Sequence, residues 1–186
     1  MKVKLMADIT VGDIKKITKG KLLCGNEYDI CENFCIDSRE IKSGDVFVGI
    51  KGERVNGNEL YEEVLKKGAK CLILENVEIP EDIIKKFTDS AIIIVEDTIK
   101  ALQQIAEYKR NLYKIPVIAI TGSVGKTSTK DIVAEVVSKK YKVLKTQGNL
   151  NNHIGLPLTI LSLKDEEAMV VELGMSHLGE ISTLTK

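Results

Sequence analysis

The residues best suited to chemistry stand in one string, Thr121-Gly122-Ser123-Val124-Gly125-Lys126-Thr127, followed by Ser128. Gly122 and Gly125 let the backbone turn sharply and approach an anion with no Cβ in the way. The N–H groups of the loop, and of the helical turn it opens through Ser128, then point into one concavity that the helix dipole makes favourable for negative charge. Lys126 adds a full positive charge for the β- and γ-phosphates of a nucleotide. The Thr127 hydroxyl is placed to hold a magnesium ion bridging them. The general phosphate-loop pattern asks for glycine five positions before Gly125, where Ile120 stands, so a strict pattern search passes over this site. The bland alternative is a glycine turn with an incidental Lys-Thr. The strand and helix expected on either side weigh against it.

Two further groups could join that chemistry. Glu172 closes the apolar run Ala168-Met169-Val170-Val171. Open α/β sheets bind ligands at the carboxyl ends of their strands, where a carboxylate can take magnesium directly or through water. A solvent-exposed strand-end residue is the alternative for Glu172. The stretch Gln147-Gly148-Asn149-Leu150-Asn151-Asn152-His153 is dense in amides, which both donate and accept and so suit sugar hydroxyls and phosphate oxygens. A cluster of turns and caps fits the same composition. His177, alone in a loop, reads as a hydrogen-bonded structural group rather than a ligand.

The elements that must position these groups are legible from pattern. Pro116 precedes Val117-Ile118-Ala119-Ile120, the run of a buried parallel strand. A helix is expected over 127–140, with Ile132, Val133, Val136 and Val137 on one face. Strands at 142–145 and 168–171 follow, with a polar loop and Pro157 between them. The order strand, loop, helix, strand, helix, strand predicts a parallel sheet, with Glu172 on a strand beside the loop strand. Upstream, Thr10 caps a helix over 10–17, with Asp13 three residues on and Gly20 as its stop. A single strand is expected over 28–36, from the alternation of Tyr28, Ile30, Phe34 and Ile36, and another over 46–50. A helix over 59–67 ends at Gly68, strands at 70–74 and 91–95 flank a weak helix after Pro80, and a helix over 98–112 leads onward. The fold class is therefore α/β: a small N-terminal α/β domain, residues 1–96, and the start of a phosphate-loop, parallel-sheet domain, residues 97–186.

Composition narrows the classes of partner. The 27 basic and 27 acidic side chains balance, so no net positive field draws nucleic acid or an anionic membrane. Aromatic content of 4 % with no Trp leaves little to stack on bases. Neither a signal-peptide pattern nor a membrane-length apolar run is present. Cys24, Cys31, Cys35 and Cys71 match no zinc spacing and read as reduced thiols. A cytoplasmic location is the expectation.

Taken together the strings resemble the Mur ligases, the ATP-dependent amide ligases that build the peptidoglycan stem peptide. The resemblance is carried by Thr121 through Lys130, by Gly148-Asn149-Leu150-Asn151-Asn152-His153-Ile154-Gly155-Leu156-Pro157-Leu158-Thr159, and by Val171-Glu172-Leu173-Gly174-Met175 with Gly179-Glu180-Ile181. In the first domain Ile36-Asp37-Ser38-Arg39, Gly44-Asp45-Val46-Phe47-Val48 and Lys51-Gly52-Glu53-Arg54 add to it. Ser-Val-Gly-Lys-Thr and Gly-Asn-Leu-Asn-Asn point to the branch that joins D-alanyl-D-alanine to UDP-N-acetylmuramoyl-tripeptide. Another Mur-type amino-acid ligase, and a non-catalytic UDP-sugar or nucleotide-binding module, are the alternatives.

The resemblance implies ATP and Mg2+ as cofactors and an acyl-phosphate route in cell-wall synthesis. It implies that the first domain binds the UDP end of the substrate. Lys126 and Thr127 fall on the family's phosphate and magnesium positions and Glu172 on its magnesium carboxylate. Asn149, Asn151 and Asn152 fall on its loop near substrate and phosphates, and Ser38 and Arg39 on its uracil–ribose segment. Asn56-Gly57-Asn58-Glu59-Leu60 departs from the family's usual Asp-Gly-His-aromatic pattern. The family's third domain and later site residues have no counterpart here. The expectation is an N-terminal fragment, inactive alone, of an enzyme that is monomeric when complete and binds neither nucleic acid nor membrane.

Overall fold

Thr10 opens the first helix with a reciprocal cap. Its hydroxyl accepts from the Asp13 N–H, and the Asp13 carboxylate accepts from the Thr10 N–H at 3.0 Å. The structure, a computed structural model, describes residues 8–175 together with Ile181 and Leu184. They fall into two units, Asp8–Ile105 and the residues from Ala106 onward. Strands and helices alternate through both, and the α/β class is as expected.

In the first unit a short strand β1 (Ile9–Thr10) leads into α1 (Val11–Thr18). The expected glycine stop is one residue out. Lys19 takes the left-handed conformation, φ 54°. Gly20 is small for another reason, since a Cβ there would stand 2.5 Å from the Ile93 side chain. β2 (Lys21–Cys24), not foreseen from the sequence, then runs antiparallel to a later strand. The single strand expected over 28–36 is two. β3 (Ile30–Cys31) pairs with β1, and β4 (Phe34–Cys35) joins the main sheet. The break falls at Glu32-Asn33, where the Asn33 carbonyl accepts from the Val46 N–H at 2.7 Å and turns the chain into another sheet.

β5 (Val46–Val48), a 3₁₀ turn (Gly57–Leu60) and α2 (Tyr61–Lys66) follow. After them come β6 (Cys71–Glu75), α3 (Glu81–Lys86) and β7 (Ala91–Val95). The sheet order is β2-β7-β6-β5-β4, parallel except for β2. β6 and β7 are almost unbroken apolar runs because a parallel sheet is covered on both faces. Phe47, Leu72, Leu74 and Ile92 form the heart of one core with Val64 and Leu65 of α2. Asn58, buried at the 3₁₀ turn, accepts from the Glu75 N–H at 2.9 Å through its side-chain oxygen. The Glu75 carboxylate in turn accepts from the Thr98 N–H at 2.6 Å, where α4 (Thr98–Leu112) begins.

In the second unit β8 (Val117–Ile120), α5 (Lys126–Ser138), β9 (Val143–Lys145), α6 (Gly155–Leu161) and β10 (Ala168–Glu172) form the expected sequence of elements. Pro157 sits in the first turn of α6, where its missing N–H costs nothing. The sheet is parallel in the order β8-β10-β9, which sets Glu172 opposite Ile120. Leu156, Leu163, Met169, Val171 and Leu173 make its core.

One expectation fails here. β8 is not buried: it pairs with one strand among the described residues, and Val117 and Ile118 are each 39 % exposed. The apolar face of α5 is largely exposed among the described residues. Ile132 is 64 % and Val136 66 % exposed, while Lys130 and Ala134 are the buried positions. Thr127 faces the end of β10, and Lys130 and Ala134, three and seven residues on, share its face. No helix among the described residues is long and apolar enough to cross a membrane.

Candidate functional site

Between the end of β8 and the start of α5 the chain needs two conformations that side chains resist. Gly122 has φ 149° and Gly125 φ 77°. A Cβ on Gly125 would meet nothing within 4 Å, so its requirement is conformational rather than spatial. Gly125 is also the N-cap of α5 and offers no side chain to its first turn, so the N–H groups there carry no side-chain cap. Lys126 folds back over the loop, its Nζ donating to the Gly122 carbonyl at 2.8 Å.

The next residue reaches the sheet. The Thr127 hydroxyl donates to Oε2 of Glu172 at 2.9 Å, and Asn151 Nδ2 donates to Oε1 at 2.8 Å. Glu172 is therefore no solvated strand end: it is 3 % exposed, with one partner on each carboxylate oxygen. Its backbone N–H donates to the Thr146 hydroxyl at 3.0 Å, just past the end of β9. Beyond it the chain divides its bonds. The Leu173 N–H donates to the Ile120 carbonyl and the Gly174 N–H to the Asn151 carbonyl, both at 2.8 Å. A Cβ on Gly174 would stand 2.9 Å from Asn151 Oδ1, so Gly174 admits the asparagine loop to this place.

That loop is both a cap and a contact. The Asn152 side chain accepts from the N–H groups of Ile154 and Gly155 and starts α6. Asn149 offers its carbonyl to the Asn151 N–H at 2.8 Å, bending the chain so that Asn151 alone reaches Glu172. Thus Lys126, Thr127, Asn151 and Glu172 stand around the phosphate-loop string, while Asn149 and Asn152 shape the loop that carries Asn151. Sequence reasoning missed Thr146 and Lys130. The Lys130 ammonium, buried with its residue at 3 % exposure, donates to the Thr146 carbonyl at 3.0 Å. Its spacing of three from Thr127 was the available signal.

The donor set fits a hard cation. A hydroxyl and a carboxylate are oxygen ligands, and Mg2+ takes one or two carboxylates while keeping waters and substrate phosphates. Among the described residues no three His, Cys, Asp or Glu side chains converge, as a wholly protein-built metal cage would need.

Ser38 and Arg39 belong to the first unit. Ser38 is buried, and its carbonyl accepts from Lys67 Nζ at 2.7 Å. Arg39 is exposed and forks onto Asp37, and those hydrogen bonds pull the Asp37 carboxyl down to about 2. Asn56 caps the 3₁₀ turn and Asn58 is buried behind it, so the departure at 56–60 is a folded, hydrogen-bonded turn. His177 and Gly179-Glu180 lie outside the described residues.

Two family descriptions match the chain: "Mur ligase family, catalytic domain" over residues 32–110 and "Mur ligase middle domain" over residues 120–186. The UDP-N-acetylmuramoyl-tripeptide–D-alanyl-D-alanine ligase of Bacillus subtilis (strain 168) is 37 % identical over 180 residues, 95 % of this chain and 38 % of that protein. The structure of UDP-N-acetylmuramoylalanyl-D-glutamyl-2,6-diaminopimelate–D-alanyl-D-alanyl ligase from Acinetobacter baumannii superposes with a TM-score of 0.84 at 32 % identity. That match covers 100 % of this chain and 40 % of that one. The MurF ligase of Thermotoga maritima, solved in complex with ADP, gives 0.72 at 37 % identity, covering 82 % of this chain and 34 % of its own. The chain thus spans about two fifths of the length of these relatives. On these matches and on the loop, strand and asparagine geometry that accompanies them, the chain belongs to the Mur ligase family, as a homologue of its D-alanyl-D-alanine-adding ligases over their N-terminal domain and part of their middle domain.

Proposed function

We propose that these residues form the phosphate-binding part of an ATP-dependent ligase that adds D-alanyl-D-alanine to UDP-N-acetylmuramoyl-tripeptide in cytoplasmic peptidoglycan synthesis. The observation that carries this reading is the convergence of Thr127 and Asn151 on the buried carboxylate of Glu172, beside a glycine loop that opens a helix. Phosphoryl transfer asks for positioning and charge neutralisation more than for a nucleophilic side chain. In the proposed reaction the tripeptide carboxylate takes the γ-phosphoryl group of ATP, releasing ADP. The amine of D-alanyl-D-alanine then attacks the acyl carbon and phosphate leaves.

In this reading residues 121–128 cradle the phosphates and Lys126 supplies the counter-charge. Thr127 and Glu172 would hold Mg2+, which would neutralise phosphate charge. Asn149, Asn151 and Asn152 line the approach to the phosphates and the acceptor substrate. Ser38 and Arg39 serve the uracil–ribose end, in a unit of their own. The units proposed for these tasks are residues 1–96 for the UDP substrate and 97–186 for ATP, in an enzyme acting as a monomer. The whole reaction is proposed for a protein of the relatives' full length.

The test is calorimetric titration of ADP and ATP into the 186-residue chain, with and without magnesium. Lys126→Ala removes a charge-assisted hydrogen-bond donor and is expected to weaken ADP binding about 10- to 100-fold. Equal affinity in wild type and Lys126→Ala would remove the nucleotide role. UDP-sugar binding with no nucleotide binding would favour the non-catalytic module.

A further inference from the structure

We infer that Lys130 and Thr146 are positioning residues for the Glu172 carboxylate, an inference that rests on the magnesium–nucleotide reading of the site.

A closed circuit of hydrogen bonds carries it. Thr127 and Lys130 stand one turn apart on α5. Thr127 binds the carboxylate of Glu172 at the end of β10, and Lys130 binds the carbonyl of Thr146 just past the end of β9. Thr146 closes the ring, because its hydroxyl accepts from the Glu172 N–H. Its own N–H still belongs to the sheet, donating to the Val170 carbonyl at 3.2 Å. Thr146 is the point where a ladder of backbone carbonyls ends and a side chain takes over. It is wholly buried, so without its hydroxyl the Glu172 N–H would face an acceptor-free interior.

Lys130 is the less expected member. A buried ammonium is costly unless paired. Its nearest carboxylate, Asp131 at 3.6 Å, is half-exposed and shared with Lys145 at 2.8 Å. Packing alone would be served at lower cost by methionine, which has nearly the same length and volume. What the ammonium adds is a donor aimed at one carbonyl, that of Thr146. The pair thus ties α5 to β9 as Thr127 ties it to β10, and the two ties fix the backbone and the carboxylate of Glu172 together. Residues that orient a metal's direct ligands, without touching the metal, characteristically alter metal affinity 10- to 100-fold on mutation.

The experiment measures ADP affinity of the 186-residue chain in magnesium and in EDTA, for wild type, Lys130→Met, Thr146→Val, Thr146→Ser and Glu172→Gln. In wild type magnesium is expected to tighten ADP binding, and Glu172→Gln to abolish that gain. Lys130→Met and Thr146→Val should cut the gain by about tenfold while leaving affinity in EDTA within about twofold. Thr146→Ser, which keeps the hydroxyl, should restore it. A full gain in Lys130→Met and Thr146→Val, with Glu172→Gln impaired, overturns the inference and leaves the nucleotide reading standing. Loss of ADP binding in both magnesium and EDTA would make the two residues merely structural and also overturns it. If Lys130→Met does not fold, the Thr146→Val and Thr146→Ser pair decides. Failure of wild type to bind ADP at all would remove the nucleotide reading and this inference with it.

Discussion

Thr127 and Glu172, 45 residues apart in sequence, meet through a hydroxyl–carboxylate hydrogen bond of 2.9 Å across the gap between α5 and β10. The bond joins a helix's first turn to a strand's last residue, so the carboxylate faces the loop rather than the sheet. It also satisfies an oxygen that would otherwise be buried with one partner fewer.

Thr127→Val keeps the shape and removes the donor. The expected result is loss of the magnesium-dependent part of ADP binding, with Thr127→Ser close to wild type. The check is the ratio of ADP affinities in magnesium and EDTA, and an unchanged ratio in Thr127→Val would take Thr127 out of the proposed metal site.

Gly155→Ala tests the packing beneath the asparagine loop. A Cβ there would stand 2.4 Å from the Leu150 Cα and 2.6 Å from its carbonyl carbon, both backbone atoms that have little room to move. Overpacking of this kind costs about 1–3 kcal/mol. Chemical unfolding of the variant should show that loss, together with weaker nucleotide binding as Asn151 is displaced.

Asn58→Ala should destabilise the first unit by about 1–3 kcal/mol, because the Glu75 N–H loses its acceptor inside the fold. Urea unfolding measures it. A loss below about 0.5 kcal/mol, the range of surface substitutions, would mean that water replaces the amide.

Asp37 makes a pH prediction with a definite sign. Its carboxyl is lowered to about 2 in the folded chain by the Arg39 hydrogen bonds, against about 3.9 in an unfolded one. The unfolded chain therefore binds the proton first, and the pairing's contribution is fully present above about pH 4 and fades as pH falls towards 2. An NMR titration of the Asp37 carboxyl should place its midpoint near the lower value, and Arg39→Ala should move it back towards about 3.9. A midpoint unaltered by Arg39→Ala would show that the pair does not form in solution.

Local chemistry made part of this molecule legible before its structure. The Thr10–Asp13 cap, the left-handed Gly68 and the strand–loop–helix run around Gly125 each depend on residues a few positions apart, and each stands where sequence placed it. β2 was missed because its strand partner among the described residues, β7, lies some 70 residues downstream, and its four residues carry no alternation of their own. The strand over 28–36 misled for the opposite reason. Its alternation is real, but the break at Asn33 is made by Val46, which local pattern cannot see. On α5 the apolar residues alone did not show which side meets the sheet, where Lys130 and Ala134 are buried. At the site, Glu172 was found by its position at a strand end. Thr146 acts through one hydroxyl oriented by tertiary contact, and its identity alone carries no sign of that.

The contact between Lys126 and the Gly122 carbonyl bears on how a nucleotide would arrive. A lysine already engaged with its own loop is held near where an anion would sit in the proposed role, so capture would be a swap of partners instead of a search by a free side chain. A neutral carbonyl is exchanged for a charged oxygen, and the net gain is the difference between two hydrogen bonds. In the proposed role such a cradle would discriminate by charge, yielding to a polyphosphate and resisting a neutral sugar or amide competing for the same ammonium.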